Sequence, residues 1–277
     1  MKKRIVSAER VSDASGRQYH LGVAPGEVAP RILLCGDPKR AERTAALFEA
    51  LRCERRNREY VTFTGKYKGL ELSVVGTGIG PDNIEIAVVE LSQVAKDPTF
   101  IRIGSCGALR KGLRLGDLVV STGAVRLENT STYFVPEGYP AVANYEVVVA
   151  LLSAAAGLGR QAHAGLTATA PGFYGAQSRR VPGFEPRHPD LPASLAKLGV
   201  LNLEMEVSAL LTLASVGGFR AGAICAVYAQ RAENRFISPR EKEEAELDCI
   251  RAGLGAFERL EHMDQWKRQY RKDYWHV

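Results

Sequence analysis

The sequence predicts one large α/β domain built on a sheet with helices on both faces. Three observations carry this reading. Short apolar runs alternate with helix-patterned stretches along the chain. Several of those runs end in glycine turns. The 277 residues contain no linker-like break and no internal repeat, too long for a small stapled domain and short for two full-size enzymatic ones. Hydrophobic residues at 45% and charged residues at 25% are the balance of a globular chain, which argues against global disorder.

The elements follow in order. Residues 31–35 read as a buried strand, stopped by Gly36-Asp37-Pro38. Pro38 opens a helix whose apolar positions include Ala41, Ala45 and Phe48. Residues 71–75 form a second strand that runs into Gly76-Thr77-Gly78-Ile79-Gly80. A helix with Ile84, Val88 and Leu91 on one face comes next. Residues 100–103 give a third strand, closed by Gly104-Ser105-Cys106-Gly107, and residues 117–121 a fourth. A helix covers 145–156, a strand 162–169, a helix 204–216 and a strand 221–229. Ser238-Pro239-Arg240-Glu241 is a capping box with proline at the first helical position, opening a last helix that runs to about Met263. Residues 171–192, rich in Pro, Gly and Arg, are too long for a neutral connector and read as a mobile flap or a binding loop.

Lysine and arginine number 37 against 31 acidic residues, a net charge of +6 with a pI near 9.1. That balance suits nucleic acid or a small anionic substrate. The basic residues are scattered, apart from residues 52–58 and the tail, and no basic run interleaves with aromatics as a stacking platform. Nucleic acid is therefore not the expected partner. The five cysteines, Cys35, Cys53, Cys106, Cys225 and Cys249, form no C-x-x-C pair and lie at no metal-ligand spacing with histidine, so no resident metal is expected. Cys35 and Cys225 sit in apolar runs and read as buried small hydrophobes. A reducing cytoplasm is the simplest compartment. The basic start, Met1 to Arg4, has no apolar stretch behind it and is not a signal peptide. No segment reaches the roughly 20 apolar residues that span a bilayer, so no membrane association is expected.

Two of the glycine turns carry chemistry. Gly36-Asp37-Pro38-Lys39-Arg40 sets a bare backbone amide at a strand end and a guanidinium on the next helical turn. In Arg102-Ile103-Gly104-Ser105, strand alternation puts Arg102 and Gly104 on one side, with the Ser105 hydroxyl next to them. Backbone N–H groups, a hydroxyl and guanidinium forks are what a tetrahedral oxyanion needs. Taken singly, each turn is also ordinary for an α/β protein, and Arg102 reads equally as a salt-bridged edge residue. No Walker A motif is present, and Gly76-Thr77-Gly78-Ile79-Gly80 lacks the third glycine of a dinucleotide loop. Glu204-Met205-Glu206 opens an apolar helix. Its carboxylates fit either a dipole-complementing role or a grip on vicinal hydroxyls.

In order along the chain stand His20-Leu21-Gly22, Gly36-Asp37-Pro38-Lys39-Arg40, Arg58-Glu59-Tyr60, Thr77-Gly78-Ile79-Gly80, Arg102-Ile103-Gly104-Ser105-Cys106-Gly107, Gly116-Asp117-Leu118-Val119, Phe173-Tyr174-x-x-Gln177-x-Arg179 and Glu204-Met205-Glu206. With this set the chain resembles the hexameric nucleoside phosphorylases, and among them most closely the uridine phosphorylases, over roughly His20 to Arg231. The resemblance implies a single three-layer α/β domain over 1–277, with a mixed, partly barrel-like central sheet flanked by helices. Residues 1–18 are then an N-terminal extension and 239–277 a C-terminal helix and tail.

The implied reaction is the reversible, phosphate-dependent cleavage of the N-glycosidic bond of uridine, giving uracil and ribose 1-phosphate. Inorganic phosphate is then the co-substrate, with no cofactor. The matching positions place Gly36, Arg40, Arg102 and Ser105 at phosphate, joined by Arg58 of a neighbouring subunit. Glu204, Met205 and Glu206 would hold ribose, with His20 of the neighbour at the 5′-hydroxyl. Phe173, Gln177 and Arg179 would meet the base. Arg102, Arg179 and Gln177 would carry catalysis, and the subunits would form dimers assembled into a hexamer. Some members bind a monovalent cation near positions matching Glu59, Ile79 and Asn83. Asn83 replaces their serine, which leaves the cation open. Other departures are Ser105 for threonine, Gln230 for asparagine, which touches the pyrimidine side, and Gly175-Ala176 for Pro-Gly.

The alternatives are a purine nucleoside phosphorylase or a water-using nucleosidase on the same scaffold. Those relatives carry an aspartate just after a late strand, where this chain reads Val227-Tyr228-Ala229-Gln230-Arg231. Glu233 comes later and is expected at the surface, as are Arg55 and Arg56. His163 is expected on a strand face, His188 and His262 in solvent. Trp266, Tyr270, Tyr274 and Trp275 are expected to pack a tail helix on its own or a partner subunit.

Overall fold

One sheet of 11 strands runs through the described residues. The computed structural model describes Ile5 and residues 7–276; the basic start Met1 to Arg4 lies outside them. Four strands make an open wing: β1 (Arg31–Cys35), β2 (Ala50–Asn57), β3 (Tyr60–Tyr67) and β4 (Leu70–Gly76). β2, β3 and β4 form antiparallel hairpins, and β1 lies parallel between β4 and β5 (Thr99–Ala108).

The other part of the sheet closes on itself. β5 pairs in parallel with β10 (Arg220–Gln230), and β10 pairs antiparallel with β6 (Leu118–Arg126). β6 runs parallel to β8 (Ala162–Thr169), β8 parallel to β9 (Asn202–Glu204), and β9 returns antiparallel to β5. The expected mixed, partly barrel-like sheet is this ring of five strands joined to the wing through β5. Two short strands, β7 (Ala141–Val142) and β11 (Arg235–Phe236), are added to β6 and β10.

Side-chain alternation sorts the helices onto the faces. In β1, Leu33 and Cys35 point to one apolar cluster while Ile32 and Leu34 point to the other. The first cluster gathers α1 (Pro38–Ala45), α3 (Tyr145–Gly157) and α6 (Pro239–Tyr270); the second gathers α2 (Pro81–Ser92) and α5 (Val207–Gly217). Cys106, Val119, Cys225 and Val227 form a separate buried group inside the ring.

Several boundaries differ from the expectations. β5 does not stop at Gly104 but continues to Ala108, because β10 pairs with it along its length, with a bulge between Val227 and Ala229. Glu204, expected to open the helix, is instead the last residue of a strand over 202–204 that fills the gap between β5 and β8; α5 starts only at Val207. α1 ends at Ala45, so Phe48 packs on the core from outside the helix. The β2–β3 hairpin was unexpected. The Ser238 capping box forms as read, but α6 continues past Met263 to Tyr270. There Trp266 and Tyr270 meet at 5.1 Å, and Lys267 reaches Glu146 on α3. The tail packs on its own subunit: Trp275 joins the core, its N–H donating to the Tyr145 hydroxyl at 3.0 Å. His163 faces Asp117 at 2.9 Å. Between residues 171 and 190 the chain makes turns, with one bridge from Val181 to Phe184, before α4 (Leu191–Lys197).

Near the wing, Glu27 accepts hydrogen bonds from Arg17 at 2.8 and 2.9 Å and from Arg55. Arg55 is thus tied down rather than a loose surface charge. The bonds from Arg17, then Arg55, outweigh partial burial and hold the Glu27 carboxyl down at about 2, against an ordinary 4.5. A depressed folded-state value gives stability that is full above 4.5 and is lost as pH falls toward 2. The melting-temperature gap between the protein and its Glu27→Gln variant should therefore be constant near neutral pH and shrink across that acid window.

Candidate active site

The carboxyl ends of parallel strands β1 and β5 open on a cavity of about 780 Å³, where ligands gather in sheets of this kind. Gly36, Arg40, Arg102, Ser105, Glu204, Met205, Glu206, Phe173, Gln177 and Arg179 all line it, and so do Glu59, Ile79 and Asn83.

Arg102 lies at one end, 5% exposed. Its side chain folds back along β5 over Gly104, where a Cβ would overlap the guanidinium. Nη2 is ion-paired with Glu206, and Glu204 stands at 3.6 Å; Nη1 reaches the Cys225 sulfur at 3.5 Å. Burial works against its charge, but the two carboxylates reverse that and raise its pKa, so it stays a cation. Gly36 ends β1 with its Cα against the Gly78 carbonyl, where a Cβ would come within 3.1 Å of that oxygen. Asp37 caps α1 by accepting from the Lys39 N–H at 2.9 Å, and Arg40 turns back into the cavity from the first turns of α1.

The two glutamates do different work. Glu204 accepts from the backbone N–H groups of Glu206 and Val207 at 2.7 to 3.1 Å and from the Thr169 hydroxyl at 2.6 Å. It caps α5, the dipole-complementing role read from sequence. Burial, offset in part by Arg102, raises its pKa. Glu206 instead takes the Gly80 N–H at 2.8 Å on one oxygen and Arg102 on the other.

Of the other lining residues, Gln177 is 3% exposed and Phe173 is 46% exposed. The Arg179 guanidinium sits 3.6 Å from the centre of the Phe173 ring and donates to Gln177 Oε1 at 2.7 Å. Arg231 donates to the Gln177 carbonyl at 2.9 Å. Burial, with the Arg231 charge nearby, brings the Arg179 pKa down to about 10, still a cation at neutral pH. Carboxylates line the cavity at Asp37, Glu59, Glu204 and Glu206, and the polar contacts of this pair run instead to the Phe173 carbonyl, to each other and to Arg231. Gln230 is turned away, donating to the carbonyls of Arg110 and Leu113, so the change from asparagine does not face the cavity.

His20 and Arg58 are outside the cavity of their own chain. His20 Nδ1 contacts Glu90 at 2.7 Å, and its carbonyl accepts from Asn57 at 2.7 Å. Arg58 is exposed in the β2–β3 turn, its guanidinium 4.7 Å from the centre of the Tyr19 ring. The two residues therefore sit together, both in contact with the Tyr19 ring.

Residues 30–254 match the family model described as the phosphorylase superfamily. The chain belongs to the phosphorylase superfamily. It is 43% identical, over all of its length and 98% of the relative's, to a uridine phosphorylase of Thermococcus kodakarensis. It is 34% identical to the uridine phosphorylase of Escherichia coli, over 87% of this chain and 97% of that one. A guanosine phosphorylase of Halorubrum lacusprofundi is 36% identical over 76% of this chain and 83% of its own.

In this phosphorylase, sequence reading missed Cys106, Tyr228, Phe236 and Lys242 on the cavity wall and Glu246 behind it. Tyr228 and Cys106 were visible as strand-end residues next to the motifs, but Phe236 and Lys242 carried no signal. Gly104→Ala should displace the Arg102 guanidinium and strand the buried Glu206 carboxylate. The expected cost is about 1–3 kcal/mol in urea unfolding.

Proposed function

We propose that this protein catalyses the reversible phosphorolysis of uridine to uracil and ribose 1-phosphate. One observation carries the reading. A single cavity is lined by a glycine turn, two buried arginines and a serine, by two carboxylates paired with one of those arginines, and by an amide hydrogen-bonded to a further guanidinium. The uridine phosphorylases among its relatives support the same substrate.

In this reading phosphate enters among Gly36, Arg40, Arg102 and Ser105. Arg102 turns from Glu206 to the oxyanion, and the released Glu206 carboxylate accepts hydrogen bonds from the ribose hydroxyls, with Met205 beside it. The glycosidic bond breaks first, giving an oxocarbenium-like sugar, and phosphate beneath C1′ stabilises that cation before bonding to it. Uracil leaves with negative charge spread over N1 and its carbonyl oxygens. Arg179 donates to one carbonyl and the Gln177 amide to the other, while Phe173 packs on the ring. Arg179 must first let go of Gln177 Oε1, which then accepts from the ring N–H.

His20 and Arg58 reach the cavity of a second copy in this reading, which makes a dimer the smallest complete unit and fits a hexamer built from dimers. Their place outside their own cavity supports it. Glu59, Ile79 and Asn83 stand together at the mouth. Asn83, however, spends its amide nitrogen on the Thr77 carbonyl at 2.9 Å, and Glu59 is the one carboxylate of the three. No step is routed through a monovalent cation. All five cysteines are unpaired, and no helix among the described residues is long and apolar enough to cross a membrane. Both agree with a cytoplasmic enzyme.

The guanosine phosphorylase relative favours a second reading, purine cleavage. A purine leaves most readily when N7 is protonated, and the base end offers no acid for that. A panel of nucleosides assayed with and without phosphate decides: uridine cleavage should require phosphate and exceed guanosine cleavage. Cleavage by water alone, or a preference for guanosine, rejects the assignment. Arg102→Ala should lower kcat/KM for uridine by about 10²–10³, the cost of losing one preorganised charge donor.

A further inference from the structure

Glu246, on α6, is 2% exposed and stands behind the wall of the cavity. Its Oε2 accepts from Arg40 Nε at 3.1 Å and Nη2 at 3.0 Å, and from the Tyr228 hydroxyl at 3.1 Å. Its Oε1 accepts from Arg43. Burial alone would push this carboxyl up; Arg40 and then Arg43 reverse that and hold it low, so it is an anion.

The consequence falls on Arg40. A guanidinium has five N–H groups. Glu246 takes the Nε–H and one from Nη2, and the Ile103 carbonyl takes one from Nη1 at 3.4 Å. One N–H on each terminal nitrogen is left for an oxyanion bound in the cavity that Arg40 lines. A buried ion pair adds little net stability compared with apolar packing, so a staple between α1 and α6 does not by itself call for one here. A cation whose free edge must be aimed into a cavity does.

We propose that Glu246 is a positioning residue that fixes the free edge of Arg40 toward the bound phosphate. This rests on the reading that phosphate binds at Arg40. Neither the family resemblance nor the relatives' names point to Glu246, which lies 206 positions beyond Arg40. Tyr228 and Arg43 also hold the carboxylate, so its own position is set from two elements, α1 and β10.

Glu246→Asp is the sharpest test, because it keeps the charge and withdraws the carboxylate by one methylene. The KM for phosphate should rise about tenfold, which corresponds to about 1.4 kcal/mol, while the KM for uridine stays within about twofold. In an Arg40→Ala background the same change should have no further effect on phosphate, since the residue acts through Arg40. Should Glu246→Asp fail to fold, Tyr228→Phe removes one bond to the carboxylate and should raise the phosphate KM about threefold. A lowered melting temperature with an unchanged phosphate KM would reduce Glu246 to a staple and overturn the proposal. Melting temperatures titrated with inorganic phosphate give a readout that needs no turnover. A wild-type protein that shifts with phosphate but does not cleave uridine leaves the variants' shifts to judge Glu246 and rejects only the substrate assignment. A wild-type protein indifferent to phosphate overturns both.

Discussion

A positive charge buried along β5 sets the terms for everything around it. An uncompensated guanidinium at the depth of Arg102 would cost several kcal/mol. The surrounding chain is arranged to prevent that. Gly104 gives up its side chain so that the guanidinium can lie over the strand. Glu206 and Glu204 supply opposite charge, and Glu204 is itself anchored by the first N–H groups of α5 and by Thr169. The start of α5, the three residues of β9 and the closure of the ring thus all bear on one side chain. At 5% exposure the guanidinium is largely shut off from water, which strengthens each of those pairings.

The same arrangement couples Arg102 to the carboxylate beside it. Glu206 has one oxygen on the Gly80 amide and one on Arg102. An anion that draws Arg102 away leaves that second oxygen without a donor, and a sugar hydroxyl is the natural replacement. In the proposed reaction, phosphate drawn to Arg102 therefore prepares Glu206 for the sugar. Positioning and electrostatics are the means by which a weak nucleophile such as phosphate is put to use.

Much of this was legible from residue order. The alternation in β1, the glycine turns, the Ser238 capping box and the run of motifs from His20 to Glu206 gave the layers, most element positions and nearly the whole cavity wall. What stayed hidden has physical causes. A glycine after a strand is ambiguous: Gly104 looked like a stop because only its contact with Arg102 explains it as mid-strand. Glu204 looked helical because a three-residue strand has no period to detect. Glu246 was unreadable because its partner lies on a helix far away in the chain. His20 and Arg58 were expected to serve another subunit; in the fold neither lines the cavity of its own chain.

The wing's outermost strand, β2, ends the sheet with its backbone groups open to pairing. Its sequence, ALRCERRN, projects Arg52, Glu54 and Arg56 outward, and Arg56 is held by Glu54 at 2.7 Å and by Glu42 at 2.8 Å. Those charges masked the strand from pattern reading because they broke its apolar rhythm. They also make it a poor template for a stray extended peptide, which would have to strip water from a row of ions to dock there. The feature that made β2 hard to recognise is thus the one that protects the enzyme from fibrous self-association.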